Sequence, residues 1–370
     1  MSPDATPVPP ARSQCAVLTS AAWNAILTQF ADATVYQTWE YGALRWGIGQ
    51  LRHFTLTQND TIIAACQLRV IRLSIFGGGI AYVTWGPLWQ RRETAPHIDN
   101  FQAAVVALTD EFVTRRGMQL RLLPSTRAAA AARQQQAILA AAGLSPTPDV
   151  RQYTTYVSDL RQTDEQLRAA MNGNWRRSLK QAEQNAAVSY HAGTALALYD
   201  EFLKVYWQMR DFKSFVDFAS VDEFRAIHEK LPPALQLRIA VCRVGGEPAA
   251  AAVWSELGER GILIFLATNE RGREANASYL LVWKMMLSLR AAGCLYYDAG
   301  GVDEAANRGV ADFKRRLGGT LLEHAGQYDL CRSSWSRTCI GALDWLRRAK
   351  RNWQQWRSAA KPVQDTETKS

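Results

Sequence analysis

The chain has 370 residues, 48% apolar and 21% charged, which is the composition of a folded globular protein with room for two cored domains. It is neither disordered nor collagen-like, and no apolar run approaches the ~20 residues a membrane span needs. The net charge of +9 is uneven: residues 331–370 hold nine Lys or Arg against three acids, so the remaining 330 residues carry only +3.

The N-terminal MSPDATPVPPARSQ lacks a basic start followed by an apolar core and reads as a flexible Pro-rich lead over residues 1–18, not a secretory signal. A helical stretch is expected at 20–30, then strands near 54–56 and 62–73, a Gly77-Gly78-Gly79 turn and a strand at 80–84. Phe101, Val105, Leu108 and Phe112 at helical spacing predict a helix over 98–115. A strand at 118–122 stops at Pro124, an Ala-rich helix runs to Gly143, and LSPTPD reads as a connector. Alternation in YTTYVSDL predicts a strand over 153–160, and Thr163 followed by Asp164 and Glu165 predicts a capped helix start. Helices to about Asn185 and over 196–210 follow, then a hairpin of strands (236–244 and 249–257) about Gly245-Gly246. Strand 261–268, helix 275–292 and strand 295–298 complete a second α/β unit with the plan of the first. The six cysteines (Cys15, Cys66, Cys242, Cys294, Cys331, Cys339) form no CxxC pair and have no His at ligand spacing. They read as small buried hydrophobes of a reducing compartment, not as zinc ligands or disulfide partners.

The most informative stretch is YDAGGVDEAANRGVADFKRRLGGTLLEHAGQYDL, residues 297–330. It reads as a strand ending in Asp298, a Gly300-Gly301 turn, a short helix carrying Phe313-Lys314, a Gly318-Gly319 turn and a closing strand. That order resembles the C-terminal core of the Fem-type (FemA/FemB/FemX) aminoacyl transferases, which are built on the GNAT acyltransferase fold. YQTWEYGALRWG, with Gln37, Trp39 and Arg45, is similar to the family's opening pattern, and GIAYVTWGPLW is similar to its Gly-Pro turn. The stretch 158–188, with Arg176, Arg177 and Lys180, and YWQMRDFKSF, with Arg210, resemble later family segments. One departure is Leu123, which stands before Pro124 where the family often carries an acid. An acid at that place as general base therefore has no residue to rest on.

The resemblance implies an α/β protein of two tandem GNAT-like domains with mixed central sheets, 19–148 and 149–331, followed by a basic Trp-rich helix and tail at 332–370. It implies an aminoacyltransferase that adds an amino acid from aminoacyl-tRNA to the peptide of a peptidoglycan precursor, lipid-linked or UDP-linked. Lys314 would stabilise charge on the reacting ester or nearby phosphates, and Phe313 would offer a ring to ribose or adenine. Arg45 and Arg210 would pair with pyrophosphate or carboxylates, with Tyr279 and Asp298 as further substrate contacts. Taken as residues alone, Lys314 reads equally as one cation of a wet basic face beside Arg315 and Arg316, and Asp298 as an anchor for the glycine turn. His324, in the closing strand, could be a catalytic base, yet a strand histidine is usually structural.

No cofactor is implied. An acyl-CoA donor is the same-fold alternative, used in envelope or exopolysaccharide synthesis. In ATNERGREANASYLL, however, Asn269 stands where Arg or Gln would open a pyrophosphate turn and Glu274 where Gly or Ala would close it. A non-catalytic membrane or RNA adaptor is the alternative from another class. In the tail, Ala342, Trp345, Ala349, Trp353 and Trp356 form one apolar stripe on a helix over 341–357, with Arg347, Arg348, Lys350, Arg351 and Arg357 elsewhere. Such a helix suits an anionic membrane leaflet, tRNA phosphate or the protein's own body; inner-leaflet contact is the preferred expectation. The expected protein is a cytoplasmic monomer, peripheral on the inner face of the plasma membrane.

Overall fold

The computed structural model describes residues 11–73, 78–92, 94–126, 128–148, 150–212, 220–305 and 307–342. In the first part of the chain lie β1 (Arg12–Ala16), α1 (Ser20–Leu27), α2 (Trp39–Trp46), β2 (Leu51–Gln58), β3 (Thr61–Arg72), β4 (Gly79–Thr84), α3 (Ile98–Leu108), β5 (Gln119–Leu123), α4 (Ala129–Ala141), β6 (Ser145–Pro146) and β7 (Thr154–Asp159). After α5 (Asp164–Ala170) and α6 (Gly173–Gln184) come β8 (Val188–Gly193), α7 (Leu196–Phe212), α8 (Val221–Lys230), β9 (Arg238–Val244), β10 (Glu247–Ser255), β11 (Arg260–Thr268), α9 (Glu270–Glu274), α10 (Ala277–Ala291), β12 (Tyr296–Gly301), α11 (Arg308–Arg316), β13 (Thr320–Glu323) and β14 (Tyr328–Leu330).

Two seven-stranded sheets result, ordered β1-β2-β3-β4-β5-β14-β6 and β8-β9-β10-β11-β12-β7-β13. Every neighbouring pair is antiparallel except one in each sheet, β4 with β5 and β11 with β12, at the same place in the order. The halves are therefore tandem repeats with one crossing: each lends its last strand, β7 or β14, to the sixth place of the other's sheet. The two connectors that make this crossing lie side by side. Thr147 N–H donates to Gln327 O (2.8 Å), His324 N–H to Tyr153 O (3.0 Å) and the Gln152 side-chain amide to His324 O (3.1 Å).

β14, which ends just before residue 331, lies in the first sheet, not the second. Sequence alternation marks a strand but not the edge it joins, because any edge satisfies its backbone groups equally. The lead expected over 1–18 also differs: Arg12–Ala16 pairs antiparallel with β2. A helix over 334–342 continues from the first sheet. Its Ser336 hydroxyl donates to Gly117 O (2.8 Å) and accepts from Gly79 N–H (3.2 Å), with Ile340 buried beneath it. The Trp stripe expected beyond it, from 343 on, lies outside the described residues.

Apolar periodicity explains the three cores. Phe101, Val105 and Leu108 of α3, extended by a helical turn carrying Phe112, pack on Phe54, Leu68, Val83 and Leu120 of the first sheet. Trp175 and Leu179 of α6 and Leu281, Met285 and Leu289 of α10 cover one face of the second sheet. The third core belongs to both halves: Trp23 and Leu27 of α1 join Tyr199 and Phe202 of α7, Phe224 and Ile227 of α8, and Val241 and Val253 of the second sheet. At ~25 cal/mol per Å² of apolar surface, so shared a core makes the halves one unit instead of two beads. The Thr163 start is realised as a reciprocal capping box with Gln166. Among the described residues no helix is long and apolar enough to cross a membrane.

Candidate functional site

In the first sheet β4 and β5 stay paired from Ile80–Gln119 to Thr84–Leu123. In the second, β11 and β12 pair only at Arg260–Tyr296, Gly261–Tyr297 and Ile262–Asp298, after which β12 bends away. The bend is at Gly300 (φ 75°), where a Cβ would sit 2.6 Å from Leu263 O, so glycine is required on two counts. The ladder between the two strands ends there.

The turn is held from three sides. Asp298, fully buried, accepts from Gly300 N–H (2.9 Å) and from the Thr155 hydroxyl of β7 (2.5 Å). From α11, capped by the Asn307 side chain on Val310 N–H, Lys314 Nζ donates to Gly300 O (3.2 Å) and Gly301 O (2.8 Å). Burial lowers the Lys314 ammonium to about 8 from its ordinary 10.5, against an opposing pull from the Asp298 carboxylate. The second Asp298 oxygen faces Arg260 Nη1 at 3.6 Å. Arg260 is buried and donates across the junction to Thr126 O (2.7 Å) and Ser125 Oγ (2.7 Å) of the first half. His324 accepts from Thr126 N–H at 3.3 Å, and burial together with nearby Arg260 depresses it to about 3. It is held neutral, in the connector that follows β13.

An aromatic ladder leads from this turn across the junction. A Cβ on Gly301 would be 2.9 Å from the Tyr153 ring; Tyr153 meets Trp85 edge-on (4.9 Å), Trp85 stacks on Tyr36 (5.3 Å, 22°), and Tyr36 meets Tyr41 (5.4 Å). Trp85 has φ 58°, a left-handed conformation costing a bulky residue about 1–3 kcal/mol, which aims its indole between Tyr36 and Tyr153. Arg45 ends the ladder, 5.6 Å over the Tyr41 ring and 3.3 Å from Glu223. Tyr36, Trp85, Tyr153 and Lys314 are all half-buried, so the ladder reaches solvent.

The expected site residues thus fall into groups. Lys314 and Asp298 share one turn, with Asp298 as its anchor, and Arg45 stands at the far end of the ladder. Phe313 packs instead with Tyr279 (5.2 Å) and Trp175 (5.7 Å) in the second core, and Tyr279 meets Trp175 at 5.0 Å. Arg210 is exposed near the end of α7, over its own Trp207 at 5.2 Å, away from these groups. Sequence reasoning missed Arg260, Thr155 and Tyr153. Nothing in a strand such as RGILIFLAT marks its arginine as the one that turns inward.

Where β11 leads into α10, Asn269 caps α9: its side-chain oxygen accepts from Gly272 N–H (3.0 Å) and its amide donates to Pro248 O (3.0 Å). A Cβ on Gly272 would be 2.2 Å from Ala249 O, so this turn lies flat on β10 with the Gly272 amide bound to Asn269.

Residues 169–315 match the Acetyltransf_6 family, described as an acetyltransferase (GNAT) domain. The whole fold is similar to a crystal structure of FemX at TM-score 0.73 and 12% identity, over 88% of this chain and 99% of that one. It is similar to the C-terminal domain of a putative lysylphosphatidylglycerol synthetase from Agrobacterium fabrum (TM-score 0.52, 13% identity, 88% and 95%). L-PGS from Bacillus licheniformis is also similar (TM-score 0.51, 13%, 85% and 92%). No curated protein matches the chain in sequence.

Proposed function

Starting from a tandem GNAT-fold chain, whose fold implies acyl transfer, we propose an aminoacyltransferase that moves an amino acid from the ester of aminoacyl-tRNA to an amine on the peptide of a peptidoglycan precursor. The observation that carries this reading is the Lys314 ammonium, fixed on two carbonyls just past the end of the β11–β12 ladder. An aminoacyl ester is already activated, so no enzyme nucleophile is needed. The acceptor nitrogen attacks the ester carbon, forming the C–N bond and a tetrahedral oxyanion; the oxyanion then collapses, the C–O bond breaks, and the proton lost by the amine ends on the departing ribose oxygen. Lys314 stabilises the oxyanion between these steps.

Arg45, at the other end of the aromatic ladder, suits the anionic groups of the acceptor through its planar fork. The basic Trp-rich tail over 341–357 contacts the inner leaflet, where a lipid-linked acceptor is presented.

The acetyltransferase description of the matching family favours acyl-CoA as a second reading. Against it stands the Asn269 side chain, which occupies the Gly272 amide that a CoA pyrophosphate would require. Incubating the pure protein with charged tRNA, or with acetyl-CoA, and a precursor bearing a free amine discriminates the two by mass. One aminoacyl mass gained from tRNA alone supports the proposal. An acetyl gain, or no gain from either donor, overturns it.

A further inference from the structure

Arg260 is the one cation on β11 that turns inward at the junction, and each of its contacts has a direction. Two of its bonds, to Thr126 O and Ser125 Oγ at 2.7 Å each, belong to the first half. The third contact, to Asp298 at 3.6 Å, belongs to the second. Asp298 in turn fixes Gly300 N–H, and the Gly300 and Gly301 carbonyls fix Lys314. On the first-half side Thr126 is no loose end: His324 accepts its N–H, and Ala325 N–H donates to its hydroxyl at 3.0 Å.

A buried ion pair seldom adds net stability, because desolvation offsets the attraction. Its gain is position, and here the positioned object is the turn that carries Lys314.

We infer that Arg260 is a positioning residue for acyl transfer: it clasps the 125–126 segment of the first half to Asp298 of the second and so sets where the Lys314 ammonium stands. The inference rests on the transferase reading above. It implies that anything shifting the 125–126 segment, an acceptor seated on the first half included, is felt at Lys314 without touching it.

The test compares Arg260→Gln, Arg260→Lys and, should the first fail to fold, Ser125→Ala, which removes one neutral leg of the clasp. Hydrogen exchange followed by peptide mass spectrometry reads the clasp without any substrate. Exchange should speed up about tenfold or more at 298–302 and 125–126 in Arg260→Gln, with β9 and α10 unchanged, and recover in part in Arg260→Lys. In the transfer assay kcat should fall about tenfold or more while KM for donor and acceptor stays within about twofold.

Exchange that rises equally everywhere, or not at all, overturns the clasp. Local loosening with unchanged kcat overturns its role in positioning. If the wild-type chain transfers nothing, the transferase reading has failed, and the exchange data still judge the clasp.

Discussion

Replacing Lys314 separates a charge role from a packing role. With its ammonium lowered to about 8, Lys314 is about 90% charged at pH 7 and about 10% charged at pH 9. If its charge stabilises the oxyanion, turnover falls through an alkaline limb centred near 8, set by this group and not by the acceptor amine, whose protonation limits the acid side. Lys314→Met removes both the charge and the two bonds to Gly300 O and Gly301 O. Loss of one oxyanion donor of this kind costs about 10²–10³ in kcat, or about 3–4 kcal/mol. Lys314→Arg keeps a charge that does not titrate in this range and should retain weak activity with the alkaline limb gone. The assay is transfer of a labelled amino acid from charged tRNA between pH 6.5 and 9.5, corrected for spontaneous ester hydrolysis. An alkaline limb that survives unchanged in Lys314→Arg, or a Lys314→Met enzyme within about threefold of wild type, refutes the assignment.

Arg45→Ala should raise KM for the acceptor about tenfold with little change in kcat. Its ion pair with Glu223 is partly exposed and contributes at most about 1 kcal/mol, so the melting temperature should barely move; a fall in kcat alone would contradict the binding role. Acid stability follows from two buried histidines and a half-buried aspartate. Burial holds His53 at about 4 and His324 at about 3, against 6.5, so the unfolded chain binds more protons below pH 6.5. Their contribution is whole above 6.5 and is lost as pH falls toward 3. Asp32, raised by burial to about 7 from 3.8, acts oppositely: its share is whole below 3.8 and is lost as pH rises to 7. Urea titrations from pH 4 to 7 should therefore show a shallower rise of stability with pH in His324→Asn and a steeper one in Asp32→Asn; parallel curves would dismiss both. A chain ending at Ala342 should melt like the full chain yet bind anionic vesicles less. One ending at Leu330 exposes what Ile340 and Ser336 cover and should lose about 2–3 kcal/mol. Equal melting of the two would show that the 334–342 helix adds nothing.

Local order was legible because local order is what sequence encodes directly. The strand-turn-helix-turn run from 297 to 323 was readable from alternation and from glycines at Gly300 and Gly318, both at positive φ where other residues are strained. The capped start at Thr163 and the 98–115 helix were readable for the same reason, since caps and periodicity act within a few residues. Pairing Lys314 with the glycine turn was within reach, because only a dozen residues separate them.

What lay beyond reach depends on contacts that span hundreds of positions. Backbone groups are chemically alike in every strand, so nothing in β7 or β14 announced that they would change sheets. That exchange brings Tyr153 beside His324 and Thr155 against Asp298. Likewise, Arg260 differs from the many exposed arginines only in what surrounds it once the halves close, and burial is a property of the closed structure. Sequence thus determined the parts and their order, through interactions that reach a turn or two along the chain. Tertiary packing decided which edges met and which side chains were shut away from water, and so placed Asp298, Arg260 and Lys314 at a single junction.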